Sequence, residues 1–157
     1  MRTPRQTMPG GLYHVVARIN RQEFALRNPE IKEMLLLVIA RSRKKYRYEI
    51  ISICVMDNHI HLMLRMAQNE SLSKTMQWIL SVFAIRYNKR MGIRGHLWYD
   101  RFKSRLIKTV QHFKATYQYI IENPVRAGMC SQADDYPYGP HMLIRRGAAG
   151  GIDGFPL

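Results

Sequence analysis

The chain has 157 residues, 46% hydrophobic and 23% charged, which suits one soluble domain long enough to bury a core. Its 25 Lys and Arg against 11 Asp and Glu give a net charge of +14, an excess that points to a polyanionic partner and first to nucleic acid. No apolar run reaches membrane-spanning length, no lipidation signal stands out, and Cys54 and Cys130 make no disulfide framework, which argues against a membrane protein and a disulfide-built secreted one.

The opening MRTPRQTMPGG lacks the apolar stretch of a secretory leader, so a cytoplasmic protein is expected. GLYHVVARIN (11–20) is rich in β-branched and aromatic residues and reads as a strand. NPEIKEMLLLVIARSRKKY (28–46) reads as a helix, with Asn28 as N-cap and Pro29 at the first helical position. EIISICVM and HIHLMLRM are apolar runs flanking Asp57-Asn58, two residues that tolerate the left-handed backbone of a tight hairpin. SLSKTMQWILSVFAIRYNKRMG (71–92) starts on a serine cap, repeats apolar residues at helical spacing and stops at glycine. GHLWYDRFKSRLIKTV (95–110) is either a strand or an irregular basic ribbon, and QHFKATYQYIIENPVRAG (111–128) is a third helix interrupted near Pro124. The Gly- and Pro-rich remainder suggests one domain over 1–146 and a flexible tail over 147–157. This order predicts an α+β, ferredoxin-like antiparallel sheet with helices packed on one face and the third helix near the other.

Register then sorts the hairpin. A two-residue loop sets Val55 opposite Ile60, Ile53 opposite Leu62 and Ile51 opposite Leu64, all on one apolar face. Ser52, Cys54, Met56, His59, His61 and Met63 fall on the other. Two imidazoles at i and i+2 can give two nitrogens to one divalent ion. A bare His-x-His is a weak signal, however. Two histidines on a half-exposed sheet face, or a zinc site with Cys54 as a third ligand, fit the same residues. On the third helix Val110, Phe113, Tyr117, Ile120 and Ile121 share a buried stripe, while His112, Thr116, Tyr119 and Asn123 lie on another face. Tyr117 therefore reads as structural and Tyr119 as the tyrosine with polar company. Asn-Pro as a plain cap for a helix beginning at Pro124 is the competing reading.

YHVVARIN (13–20), CVMDNHIHLML (54–64), GHLWYDRFKS (95–104) and YIIENPVRAGM (119–129) stand in the order and spacing of a known family. Together they resemble the single-tyrosine HUH transposases, most closely the REP-associated tyrosine transposase branch. Asp57 stands where that family commonly has proline, and Ile19 where it has glycine. The resemblance implies a metal-dependent transferase that cuts and joins single-stranded DNA, often beside a hairpin, as a monomer or a homodimer. In it His59 and His61 match the paired histidine ligands, Asn123 the third ligand and Tyr119 the nucleophile. The implied cofactor is Mg²⁺ or Mn²⁺, and the implied intermediate a 5′-phosphotyrosine.

Arg18, Arg101, Lys103 and Arg105 are candidates for phosphate contacts, and Trp98 and Tyr99 for stacking on bases. Two other functions use fewer of these residues. A non-catalytic binding module needs only the charge and aromatics, and a small metallohydrolase needs Cys54, His59, His61 and an activated water.

Overall fold

The computed structural model describes residues 3–148. Strand β1 (Leu12–Arg18) leads to α1 (Pro29–Ser42), where the Asn28 side chain accepts from the Glu30 N–H at 2.8 Å and Pro29 opens the helix. Next come β2 (Tyr48–Val55), β3 (His59–Met66) and α2 (Leu72–Met91). Ser71 caps α2, and Gly92, at φ +65°, ends it in the left-handed region that side chains disfavour. Strand β4 (Lys103–Ile107), α3 (Val110–Arg126) and α4 (Pro140–Ala148) complete the described residues, with Thr109 capping α3 through the His112 N–H.

The strands lie in the order β2-β3-β1-β4 with every neighbouring pair antiparallel, the ferredoxin-like arrangement expected. One face buries Tyr13, Val15, Ile53, Ile60 and Leu62 against Leu35 and Ile39 of α1 and Met76 and Phe83 of α2. The opposite face is not half-exposed. Cys54, Met56 and Met63 form a second core there with Ile107, Ile120 and Tyr136, and Phe113 and Tyr117 of α3 pack onto it.

Several expectations are corrected. Val55 does face Ile60, and Ile53 faces Leu62, but a bulge between Ile50 and Ser52 makes Ile50, not Ile51, the partner of Leu64. The extra residue sends Ile50 to the main core and Ile51 to the second. Nor does the hairpin tip use left-handed residues: among the described non-glycine residues only Arg21 and Gln22 have positive φ. Its bonds come from elsewhere. The Leu26 N–H donates to Asp57 O and the Ile19 N–H to Asn58 O, each at 2.9 Å. Lys32 Nζ, its residue only 3% exposed, donates to Asp57 Oδ1 at 2.6 Å and to Leu26 O at 2.7 Å.

Helix α3 runs through Pro124 uninterrupted, because a proline so close to the C-terminus forfeits only the bond to the Ile120 carbonyl. Val110, its first residue, is exposed and not part of the buried stripe. Residues 97–102 are irregular and only 103–107 form the expected strand. Past Gly128 the chain remains part of the domain, as its expected extent to residue 146 requires. The Tyr136 hydroxyl donates to Val55 O at 2.6 Å, the Val55 N–H to Tyr138 O at 2.9 Å, and Leu143 of α4 enters the main core. The flexible tail expected over 147–157 lies outside the described residues, save for the last two residues of α4.

Candidate active site

The first residues of β3 set the site. His59 and His61 project to the α3 side of the sheet, and their Nε2 atoms lie 3.1 Å apart. Two nitrogens bound in cis to one octahedral ion at about 2.1 Å would stand about 3.0 Å apart, so the pair fits a common cation. Asn123, on α3, lies near enough to both imidazoles to favour their protonated form. The donor set is two imidazole nitrogens and an amide, and among the described residues no three His, Cys, Asp or Glu side chains group as a metal cluster. Cys54, although paired with His61 in register, is fully buried in the second core. Its thiol is pushed up to about 12 by burial, so a zinc site built on it is disfavoured.

Tyr119 lies over this pair. Its ring meets His61 edge-on at 5.6 Å and 84°, and it is 39% exposed, open to an incoming molecule. The Arg126 guanidinium lies 5.4 Å from the Tyr119 ring centre and is held by Glu122 at 2.9 Å. Tyr117 instead stacks on Phe113 at 5.8 Å against the second core. The two tyrosines thus divide as their helical positions predict.

His14 was not anticipated. It stands on β1 opposite Met63 and Arg105, and its Nε2 lies 3.0 Å from His61 Nδ1. Alternation held the signal: with Tyr13, Val15 and Ala17 facing the main core, His14, Val16 and Arg18 must face the other way. Placing β1 beside β3 brings His14 to His61 and Arg18 to His59.

These rings are neutral at pH 7. Burial, then the nearby Arg18 charge, lowers His59 to about 4. Burial and its charged or chargeable neighbours His59, His14 and Arg18 take His61 to about 3. Burial, then Arg105 and His112, takes His14 to about 4. A neutral imidazole keeps the lone pair that a metal needs. Because each folded value lies below the ordinary 6.5, the unfolded chain takes up protons first as pH falls. The stability from the three neutral rings is therefore present above about pH 6.5 and drains away between there and about pH 4. We expect the denaturation midpoint of the metal-free protein to fall across that window more steeply than in His61→Asn. Equal slopes would contradict this account.

The remaining candidates divide into two groups. Lys103 and Arg105 on β4 line a cleft of about 450 Å³ with His14, His112 and Tyr119, and Arg18 pairs with His59. Arg101, Trp98 and Tyr99 line a separate cleft of about 760 Å³ beside α2. There Tyr99 is 71% exposed, whereas the Trp98 indole donates to Leu80 O at 2.9 Å and packs on Phe83, a structural placement. Among the described residues no helix is long and apolar enough to cross a membrane.

The IS200-like transposase family matches residues 8–123. A Haemophilus influenzae protein named as a REP-associated tyrosine transposase is 24% identical over 103 residues, a match covering 59% of this chain and 58% of that protein. The chain therefore spans little more than half of that relative. The solved structure of a REP-associated tyrosine transposase bound to a REP hairpin superposes with a TM-score of 0.78 at 21% identity, covering 100% of this chain and 90% of the other. One described as a transposase from Deinococcus radiodurans gives 0.54 at 18% identity, over 78% of this chain and 97% of the other. At these identities the structural likeness speaks for the fold.

Proposed function

The chain belongs to the IS200-like transposase family, and on that premise we propose that it cuts and rejoins single-stranded DNA through a covalent bond to Tyr119. The observation that carries this reading is the meeting of Tyr119 and Asn123 from α3 with His59 and His61 from β3. A phosphodiester resists attack because its charge repels nucleophiles and its alkoxide leaves poorly. His59, His61 and Asn123 are the residues that would hold Mg²⁺ or Mn²⁺, which when bound supplies positive charge to the phosphate and to the departing oxygen.

Tyr119 Oη attacks phosphorus in line, the Oη–P bond forming as the P–O3′ bond breaks. The phenolic proton passes to solvent and the 3′-oxygen takes one up, leaving a 5′-phosphotyrosine and a free 3′-hydroxyl. The phosphoester is kept, so a second 3′-hydroxyl can reverse the step without ATP. The Arg126 guanidinium, paired with Glu122, lies over the phenol ring, and Arg18, Lys103 and Arg105 would hold neighbouring phosphates. The exposed Tyr99 ring is available to stack on a base. The net charge of +14 suits this partner, and a related protein solved with a REP hairpin favours DNA with a hairpin foot. The cytoplasm is the proposed location.

The test uses labelled single-stranded DNA carrying a hairpin and its flanks. With Mg²⁺ we expect label to migrate with the protein through denaturing gels, and with EDTA we do not. Tight binding with no adduct on any flank would favour the non-catalytic binding module, and cleavage without an adduct would favour hydrolysis by an activated water.

A further inference from the structure

A neutral imidazole carries one N–H and one lone pair, and the partner of one nitrogen decides which the other presents. For His59 and His61 to hold a cation together, both Nε2 atoms must present lone pairs, so both protons must sit on Nδ1. Each Nδ1 has a partner able to take that proton in a hydrogen bond. His59 Nδ1 lies 2.7 Å from Asn58 Oδ1, an atom that can only accept. His61 Nδ1 lies 3.0 Å from His14 Nε2, with the two rings within 17° of parallel and their centres 5.3 Å apart. That near-coplanar, edge-to-edge arrangement is the one in which an N–H of one ring points along its own plane at a nitrogen of the other.

We infer that Asn58 and His14 are positioning residues: they hold the Nδ1 protons of His59 and His61 and so turn both Nε2 lone pairs toward one cation. Without these acceptors, nothing favours the two-lone-pair state. Two unprotonated Nε2 atoms 3.1 Å apart repel each other, and a proton placed between them relieves the repulsion but blocks the cation. The sheet fixes His14 for this task, since its neighbours Met63 and Arg105 on either side set its position across the strand. Asn58 is fixed by the hairpin tip, where its carbonyl accepts from the Ile19 N–H at 2.9 Å. The inference rests on the proposed metal site. It adds that the site depends on two residues that do not touch the ion.

The experiment is Mn²⁺ titration of the whole protein without DNA, followed by electron paramagnetic resonance. His14→Phe keeps a flat ring but removes the acceptor, and should weaken Mn²⁺ binding by about 10- to 100-fold in a protein that remains folded at the assay temperature. His14→Gln, whose carbonyl can accept, should recover most of that loss. Asn58→Ala should weaken binding similarly through His59, and it decides the matter if His14→Phe does not fold, because the backbone bonds of the tip remain. Imidazole ¹⁵N spectra of the Mg²⁺-loaded protein should show the His59 and His61 protons on Nδ1. Mn²⁺ affinity within twofold of wild type in both His14→Phe and Asn58→Ala overturns the inference alone, as does a proton on His61 Nε2 in the loaded protein. Wild-type protein that binds no Mn²⁺ overturns the metal site itself and the inference with it.

Discussion

Tyr119→Phe, which removes a single oxygen atom, should abolish the covalent DNA adduct. The ring stays, so its edge contacts with His61 and His14 persist and folding is expected to be unchanged. Binding of uncut DNA should survive, because the residues proposed to hold phosphates lie on β1 and β4. The chemistry has no substitute nucleophile nearby. Tyr117, two residues away, is stacked on Phe113 over the second core. Tyr117→Phe should therefore cleave normally and lose at most about 1 kcal/mol of stability. Since the loss in Tyr119→Phe is that of the bond-forming atom, adduct and strand joining should fall together by on the order of 10³-fold or more. The assignment is falsified if Tyr119→Phe still forms the adduct, and the failure is sharper if Tyr117→Phe does not.

Lys32→Met should produce the largest loss of stability among changes away from the site. The Lys32 ammonium is nearly sealed from water and serves three acceptors at once: Asp57 Oδ1, Leu26 O and Arg27 O at 2.6, 2.7 and 3.2 Å. Methionine fills the space but takes a donor from two carbonyls and leaves Asp57, its side chain 21% exposed, with only the exposed Arg27 guanidinium at 3.7 Å as a cation. Stranding one partner of such a pair costs about 3–5 kcal/mol, or roughly 10 °C in melting temperature for a domain of this size. Asp57→Asn added to Lys32→Met should recover part of that loss, because the carboxylate that lost its buried partner is then neutral. The effect should reach the site too, since Asp57 is followed directly by Asn58 and His59. Urea denaturation of the two single variants and the double measures the coupling. Additive losses would mean that the pair contributes nothing specific.

Most of the fold was legible because its signals are local. Asn28-Pro29, Ser71 and Gly92 mark helix ends through bonds to their own backbone neighbours, and each mark is kept. The division of Tyr117 from Tyr119 was equally legible, since helical periodicity alone decides it. What escaped depended on partners distant in sequence. The bulge exchanges Ile50 for Ile51, and identical side chains give alternation nothing to detect. Pro124 reads as a breaker, yet so near a helix end it forfeits a single bond. Residues 129–146 carry no clear element signal in their composition, but Tyr136, Tyr138 and Leu143 find partners on β2 and in the core. His14 was missed because one histidine in a strand means little until the order β2-β3-β1-β4 puts it beside His61.

That strand order leaves β2 and β4 on the outside, and an outer strand is a template on which another chain's backbone can assemble. The two edges are guarded by different means. At the end of β2 the chain covers itself, the Val55 N–H donating to Tyr138 O and the Val55 carbonyl accepting from the Tyr136 hydroxyl. On β4, Lys103 and Arg105 set like charges on a short strand, so a second copy offering the same edge is repelled. The cations proposed to hold DNA would thus also keep the protein from growing into a shared sheet with its own copies, and neutralising them should be felt first as insolubility and only then as weakened binding.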